Sequence, residues 1–204
     1  VANTLLVLGF SLQHSIMARP SFKEWWTQYV PTSIERSTYV LISGVAFIAI
    51  MALWQPIGIE LWRFDGIPQY LAYGLYGAGW VLLFYATFLI NHFDLFGLRQ
   101  VWLNLRGRDY VQLPFHETSL YRVSRHPLYV GWLMVVWCTP HMTVSHFFFA
   151  AAITAYTLFA IRLEERDLVE FHPEYAKYQQ RVPMLFPRLV TLSGRRAESQ
   201  FQKG

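Results

Sequence analysis

Polar side chains that can bind ligands or move protons stand at the ends of several long apolar runs. They are histidine, arginine, glutamate and amide groups, in the segments Gln13-His14-Ser15, Asn91-His92, Arg125-His126 and Arg162 with Glu164-Glu165. Ionisable groups beside membrane-type segments are rare and usually functional. Helix capping and snorkelling explain part of the set. They do not explain the glutamate pair, because a carboxylate gains nothing at a helix C-terminus.

The seven histidines do not predict a metal centre. Membrane di-iron enzymes use His-x(2–4)-His boxes, whereas the closest pair here, His141 and His146, is five residues apart. Metal or haem ligation is therefore disfavoured. The sequence also lacks the glycine-rich nucleotide loops and the G-x-S-x-G and zincin motifs, which argues against the usual soluble nucleotide-binding and hydrolase classes.

A short polar segment near the C-terminus has the signals of a helix. Pro173 suits its first turn and Val182-Pro183 ends it. Tyr175 and Tyr178 are three residues apart and share one face of this helix. Such a pair is typical of packing as well as of ligand binding.

The elements that must position these residues are membrane helices. The chain has 204 residues, of which 54% are hydrophobic and 15% charged, whereas a soluble domain carries about 25% charged residues. Apolar runs occupy 1–17, 37–54, 69–90, 127–139 and 143–161. These runs predict an all-α, polytopic helical bundle of about five spans. The last two spans form a hairpin, and the first is interpreted as a membrane helix and not as a signal peptide.

The distribution of basic residues predicts the orientation of the bundle. Lysine and arginine number three, one, five, none and eight in the successive connections and the C-terminal segment. This alternation predicts an N-terminus outside and a C-terminus in the cytoplasm of a bacterial inner membrane. The net charge of +4 is thereby explained by topology, so nucleic-acid binding is not expected. The single Cys138 excludes a disulfide within the chain.

Four motifs of the last third of the chain occur together and in order. They are Arg125-His126-Pro127-Leu128-Tyr129-Val130-Gly131, Glu164-Glu165, Tyr175-x-x-Tyr178 and Arg181-Val182-Pro183. This pattern resembles the isoprenylcysteine carboxyl methyltransferase and phospholipid methyltransferase superfamily. The resemblance covers residues 118–188, and it divides the chain into N-terminal membrane helices (1–117), a cofactor-binding region (118–188) and a cytoplasmic tail (189–204) that we expect to be frayed.

The resemblance implies a cytoplasmic cap that binds S-adenosylmethionine (SAM). Its cofactor-binding residues would be Tyr121, Arg125, His126, Pro127, Tyr129, Gly131, Glu164, Glu165, Tyr175 and Tyr178. The glutamates would meet the ribose or amino group, because carboxylates accept charge-assisted hydrogen bonds. The tyrosine pair of the C-terminal helix would lie on the adenine side, and an aromatic pocket also favours a sulfonium cation. Arg125 and Arg181 are candidates for the cofactor's carboxylate or for the substrate.

The N-terminal two thirds of the chain carry the strings that would select the methyl acceptor. The segments Asn91–Gln100 and Gln13–Arg19 resemble the bacterial methanethiol S-methyltransferase branch, which implies a small thiol as substrate. Asn91, Arg99 and Arg181 are the candidate substrate-binding residues.

Methylation of a thiol needs a base, because the thiolate is the nucleophile. Asp94 is the first candidate, since a carboxylate removed from water by Phe93 and Phe96 becomes more basic. His14 and His92 are the alternatives. Two other functions remain open: a methyltransferase that acts on a lipid or prenylated cysteine, and a haem-associated membrane protein without enzymatic activity.

Overall fold

The computed structural model describes residues 1–111, 113, 117 and 119–186, and the predicted tail 189–204 lies outside them. The described residues form helices α1 Ala2–Met17, α2 Pro20–Trp26, α3 Thr32–Leu53, α4 Ile67–Ile90, α5 His92–Leu95, α6 Leu98–Leu105, α7 Pro127–Trp137, α8 Val144–Phe171 and α9 Tyr175–Arg181. A 3₁₀ turn covers Ser119–Arg122, and two strands cover β1 Glu60–Arg63 and β2 His141–Thr143. The predicted helical architecture is confirmed.

Three of these helices, α3, α4 and α8, are long and apolar enough to cross a membrane. Most of their surface faces outward, as Ile48 (66% exposed) and Val81 (70% exposed) illustrate. Helix α1 has 16 residues. Helix α7 has 11 and spans about 16 Å, against a hydrocarbon thickness of about 30 Å. The chain is therefore an integral membrane protein, while the count of five crossings stays a prediction.

Helices α4 and α7 cross at unusually close range because glycine faces glycine. A Cβ atom on Gly131 would lie 2.7 Å from the backbone nitrogen of Leu83 and 2.8 Å from the carbonyl oxygen of Gly79. A Cβ atom on Gly79 would lie 2.8 Å from that of Met134. Small residues are the usual means of bringing membrane helices together, because lipid supplies no hydrophobic force between them. This crossing joins the predicted N-terminal helices to the predicted cofactor-binding region.

A short antiparallel ribbon of β1 and β2 closes one end of the bundle. Glu60 pairs with Thr143 and Arg63 with His141. The sequence predicted the connection between the last two long apolar runs, but it did not predict the strands. The side chain of Asn3 reinforces this end by exchanging two hydrogen bonds, of 2.7 and 2.8 Å, with the backbone of Gln55. Helices α5, α6 and α9 lie at the other end of the bundle, near the polar residues that follow α4 and precede α7.

Candidate active site

A cavity of about 780 Å³ lies where α4 ends, α7 begins and α8 meets α9. Its volume is typical of a pocket for a small molecule or cofactor. Ten residues predicted for the site line it: Asn91, His92, Asp94, Tyr121, Arg125, His126, Tyr129, Glu164, Tyr175 and Tyr178. The cavity therefore brings the C-terminal motifs together with the segment that follows α4. The individual roles of these residues stay predictions.

Glu165 is the centre of a buried polar network beside the cavity. Arg125 donates to both of its carboxylate oxygens, at 2.7 and 3.2 Å, and His126 Nε2 lies 2.9 Å from Oε1. Gln179 on α9 donates to Oε2 at 3.0 Å. Glu165 is 9% exposed, and its carboxylate is fully engaged by these partners. Glu165 thus ties the start of α7 to α8 and α9, and it does not line the cavity.

Arg125 extends this network to the segment after α9. Its Nη1 donates to the carbonyl oxygens of Gln179 and Val182, at 2.7 and 3.0 Å. Its backbone nitrogen donates to the carbonyl of Pro183 at 2.9 Å. The Arg-His-Pro and Arg-Val-Pro motifs are therefore neighbours in space, which gives a physical reason for their joint presence.

Glu164, the other member of the pair, faces the cavity. Consecutive helical residues point about 100° apart, so the two glutamates cannot share one environment. The Tyr129 hydroxyl donates to Glu164 Oε2 at 3.0 Å. Within the part of the chain that the structure describes, Glu164 accepts no other hydrogen bond, so its carboxylate retains capacity for a ligand.

Three tyrosines form the wall of the cavity near α9. The Tyr178 hydroxyl donates to the carbonyl oxygen of Tyr121. Burial raises the pKa of Tyr178 to about 12, and burial also raises the pKa of Tyr175. The hydroxyl of Tyr121 is buried, and no residue that the structure describes hydrogen-bonds to it.

The opposite wall is built by a sharp turn at Asn91. This residue ends α4 with φ of +92°, a conformation that Asn tolerates better than most residues. Its Oδ1 accepts a hydrogen bond of 3.0 Å from the backbone nitrogen of Asp94 and so caps α5. The turn directs His92 back onto α4, where its ring stacks on Phe88 with 4.5 Å between centroids. Nδ1 of His92 lies 2.9 Å from the hydroxyl of Thr87.

Asp94 is held in place by donors on its own side of the cavity. Arg99 Nη1 lies 3.0 Å from Oδ1 in an ion pair, and the Tyr110 hydroxyl donates to Oδ2 at 3.3 Å. Burial, together with the Asp94 carboxylate, raises the pKa of Tyr110. Both oxygens of Asp94 therefore already accept hydrogen bonds. Arg99 contacts Asp94, which lines the cavity, but Arg99 does not line the cavity itself.

His14 lies in a separate polar cluster between α1 and α3. The Tyr39 hydroxyl is 2.9 Å from its Nε2, and the Ser43 hydroxyl is 3.2 Å from its Nδ1. Phe10 stacks on its ring. His14 is not part of the cavity lining, so the structure does not bring it together with His92.

Three further predicted residues also lie outside the lining. Pro127 is the first residue of α7, and Gly131 faces α4 at the glycine crossing. Arg181 forms an exposed ion pair of 2.6 Å with Glu117. Each of these has a structural role in the part of the chain described, and its predicted ligand contact stays untested.

Three polar lining residues, Arg36, Tyr110 and His172, were missed as site residues. Arg36 lies in the first turns of α3, and its Nε donates to the carbonyl of Leu95 at 2.9 Å. The sequence offered it only as one basic residue of a connection. His172 follows α8 directly, beside the tyrosine helix, and its position there was the available signal. Among the described residues, no group of three or more His, Cys, Asp or Glu side chains is arranged to hold a metal ion.

Comparison with known proteins assigns the chain to a class of enzyme. A methanethiol S-methyltransferase from Crocosphaera subtropica is 53% identical over 180 residues, covering 87% of this chain and 71% of the relative. Methanethiol S-methyltransferase 2 from Bradyrhizobium diazoefficiens is 46% identical over 190 residues, covering 93% of this chain and 73% of the relative. With the apolar helices described above, these matches define the chain as an integral-membrane methyltransferase.

More narrowly, the chain belongs to the methanethiol S-methyltransferase family, as predicted. Nurim from Bos taurus is a more distant relative, 30% identical over 173 residues, covering 80% of this chain and 65% of Nurim. That match is consistent with the wider superfamily that the motifs predict. No family model and no solved structure matches the chain.

Proposed function

We propose that this chain transfers a methyl group from SAM to methanethiol and releases dimethyl sulfide. One observation supports this proposal most strongly: a single cavity is lined by Glu164 and Tyr175 of the cofactor motifs and by His92 and Asp94 of the segment Asn91–Gln100. The printed names of relatives at 53% and 46% identity support methanethiol as the acceptor.

The residues of the cavity fit a SAM molecule. SAM supplies a methyl group on a positively charged sulfur. The aromatic walls of Tyr129, Tyr175 and Phe88 favour a cation. Counting partners within residues 1–111, 113, 117 and 119–186, the Glu164 carboxylate accepts one hydrogen bond and the Tyr121 hydroxyl has none, so both polar groups keep hydrogen-bonding capacity. Glu164 therefore holds the ribose or amino group in our proposal.

The protein accelerates the transfer by positioning and by excluding water. A thiolate and a sulfonium lose their opposite charges together, so an environment of low polarity favours the reaction relative to water. Apolar side chains such as Leu89, Ile90 and Leu128 contribute to the lining. Holding the two sulfur atoms in line with the methyl carbon supplies much of the remaining acceleration. Asn91, Arg99 and Arg181 remain the proposed substrate-binding residues, and the base is one of Asp94, His14 and His92.

We also propose that the cavity opens to the cytoplasm of a bacterial inner membrane, with five crossings and the N-terminus outside. Two observations support this orientation. The basic connections lie at the cavity end of the bundle, and the ribbon end carries Arg63 as its one basic residue between α3 and α4. Positively charged connections are retained on the cytoplasmic side. The cytoplasm is also where SAM is available.

The proposal is tested by expressing the chain in a bacterial host that does not make dimethyl sulfide. Cells fed methanethiol should release dimethyl sulfide into the headspace, and cells that express Glu164→Gln should release much less. Binding of radiolabelled SAM to isolated membranes is measured in parallel. Bound SAM without dimethyl sulfide, together with label in lipid or in a prenylated cysteine analogue, would show that the acceptor is wrong.

A further inference from the structure

The contact between Thr87 and His92 bears on which nitrogen of the imidazole ring carries the proton. We propose that His92 is the base of the methyl transfer, acting through Nε2, and that Thr87 is a positioning residue that holds the ring in its Nδ1–H tautomer. This inference rests on the proposed function and names the residue that takes the thiol proton. Thr87 is 3% exposed and belongs to none of the motifs.

The tautomer follows from counting protons between three atoms. Oγ1 of Thr87 lies 2.7 Å from the carbonyl oxygen of Phe84, one turn earlier in α4. Two oxygens at that distance need a proton between them, and the hydroxyl holds the one available. Oγ1 therefore presents a lone pair to His92 Nδ1, 2.9 Å away. Nδ1 must be the donor, so neutral His92 carries its lone pair on Nε2.

The fold holds the ring in this orientation from three sides. Phe88 lies parallel to it at 12° and 4.5 Å, and the Phe96 ring lies 4.7 Å away. The left-handed turn at Asn91 makes the contact with Thr87 possible, because it reverses the chain after α4. His92 lines the cavity. In the part of the chain that the structure describes, no residue hydrogen-bonds to Nε2, so this nitrogen is open to a substrate proton.

The other histidines near the site are engaged differently. Both ring nitrogens of His14 have hydroxyl partners, and its ring lies outside the cavity lining. His126 is 6% exposed and directs Nε2 to the Glu165 carboxylate, which Arg125 shares. His172 has an ion-pair contact of 3.5 Å with Glu174. His92 combines a fixed tautomer with a position in the cavity wall that the turn at Asn91 builds.

Asp94 is less suited than His92 to take the proton. Its carboxylate is already paired with Arg99 at 3.0 Å and accepts from Tyr110. Protonation of Asp94 would disrupt an ion pair that joins α5 to α6. Protonation of His92 at Nε2 leaves the Thr87 contact intact, because Nδ1 remains a donor.

The proposed step conserves atoms and charge. The proton of the methanethiol S–H bond moves to Nε2 of His92, and the sulfur lone pair forms a bond to the methyl carbon. The bond between that carbon and the donor sulfur breaks, and its electron pair stays on the donor sulfur. The products are dimethyl sulfide, S-adenosylhomocysteine and an imidazolium that releases its proton to water.

The tautomer is measured directly on the full-length chain in detergent or nanodiscs, without substrate. ¹⁵N-histidine labelling distinguishes protonated from unprotonated ring nitrogens, and His92→Gln identifies the signals of this residue. We expect Nδ1 protonated and Nε2 bare in the wild type and in Thr87→Ser. In Thr87→Val, which removes the lone pair, the Nδ1–H preference should be lost. An Nε2–H tautomer in the wild type would overturn the assignment.

Kinetics test whether the tautomer matters for turnover. We expect His92→Gln to lower kcat about 100-fold or more, as loss of a general base does, with little change in SAM affinity. Thr87→Val should lower kcat about tenfold, and Thr87→Ser should restore most of it. Asp94→Asn should also lower turnover with little effect on SAM affinity, but by a smaller factor than His92→Gln.

The outcomes separate this inference from the proposed function. Wild-type protein that makes no dimethyl sulfide overturns both. If the wild type is active, a larger loss of turnover in Asp94→Asn than in His92→Gln overturns the base assignment and leaves the proposed function standing. A wild-type rate in folded Thr87→Val overturns the positioning role of Thr87. The wild-type tautomer tests the role of Thr87 even if Thr87→Val does not fold.

Discussion

The two adjacent glutamates lie in different environments: Glu165 joins helices, and Glu164 faces the cavity. Glu165 is saturated by Arg125, His126 and Gln179, whereas Glu164 accepts only from Tyr129 among the described residues. The sequence predicted both as cofactor ligands, because a motif carries no information on the rotation of a helix about its axis. The contacts of each carboxylate depend on how α8 packs against α7 and α9, which the motif does not specify.

Glu164→Gln should weaken SAM binding without unfolding the protein. The substitution keeps the shape and the Tyr129 contact but removes the charge, and hydrogen bonds to a charged group contribute about 1.5–3 kcal/mol. We expect the Kd for SAM to rise about tenfold or more in calorimetric titration. Tyr129→Phe is the matched control, since it leaves the carboxylate in place and should have a smaller effect. Unchanged affinity in Glu164→Gln would remove this residue from the cofactor site.

The buried hydroxyl of Tyr178 should make the fold sensitive to alkaline pH. Burial raises the pKa of Tyr178 from 10.0 to about 12, so the unfolded chain loses this proton first as pH rises. The contribution to stability is complete below pH 10 and is lost progressively between about pH 10 and 12. Comparing the Tm at pH 9 and pH 11, we expect a smaller decrease for Tyr178→Phe than for the wild type. Equal decreases would contradict this role.

At the scale of elements, the helices were largely predictable and their contacts were not. Long apolar runs predict α3, α4 and α8 because a span needs a continuous stretch of about 20 apolar residues. The ribbon of β1 and β2 was missed, since its strands are three or four residues long and pair residues that are 78 to 83 positions apart in the sequence. The Thr87–His92 contact was missed because it depends on the backbone turn at Asn91.

The glycine crossing of α4 and α7 should be intolerant of one methyl group. Gly131→Ala places a Cβ atom 2.7 Å from backbone nitrogen, so the helices must separate. Overpacking of this kind costs about 1–3 kcal/mol, and we expect a lower Tm in detergent. Gly77→Ala on the same helix as Gly79 is the control, because its Cβ would meet no atom of a neighbouring element within 4 Å among the residues described. It should be neutral or stabilising, and equal effects of the two substitutions would contradict the close crossing.

At the scale of the whole molecule, the bundle separates a polar end with the cavity from an end closed by the ribbon. The distribution of basic residues predicted these two ends, because connections that carry arginine cluster at one of them. Composition alone could not reveal that helices from both parts of the chain share the cavity. That arrangement follows from the α4–α7 crossing.

Single-cysteine labelling should place the two ends on opposite sides of the membrane. Cys138→Ser removes the one native cysteine, and cysteine is then introduced at Ile57 or at Asp109. A membrane-impermeant maleimide should label Ile57→Cys in intact cells, but Asp109→Cys only after permeabilisation. The reverse pattern would contradict the proposed orientation while leaving the chemistry of the cavity untouched.

The most direct test of the central claim is turnover by the purified, reconstituted chain. With methanethiol and SAM as the added reactants, dimethyl sulfide and S-adenosylhomocysteine are quantified together by headspace chromatography and mass spectrometry. We predict that they form in a 1:1 ratio, and that production falls about 100-fold or more with His92→Gln. Folded wild-type protein that binds SAM but forms no dimethyl sulfide would contradict the account.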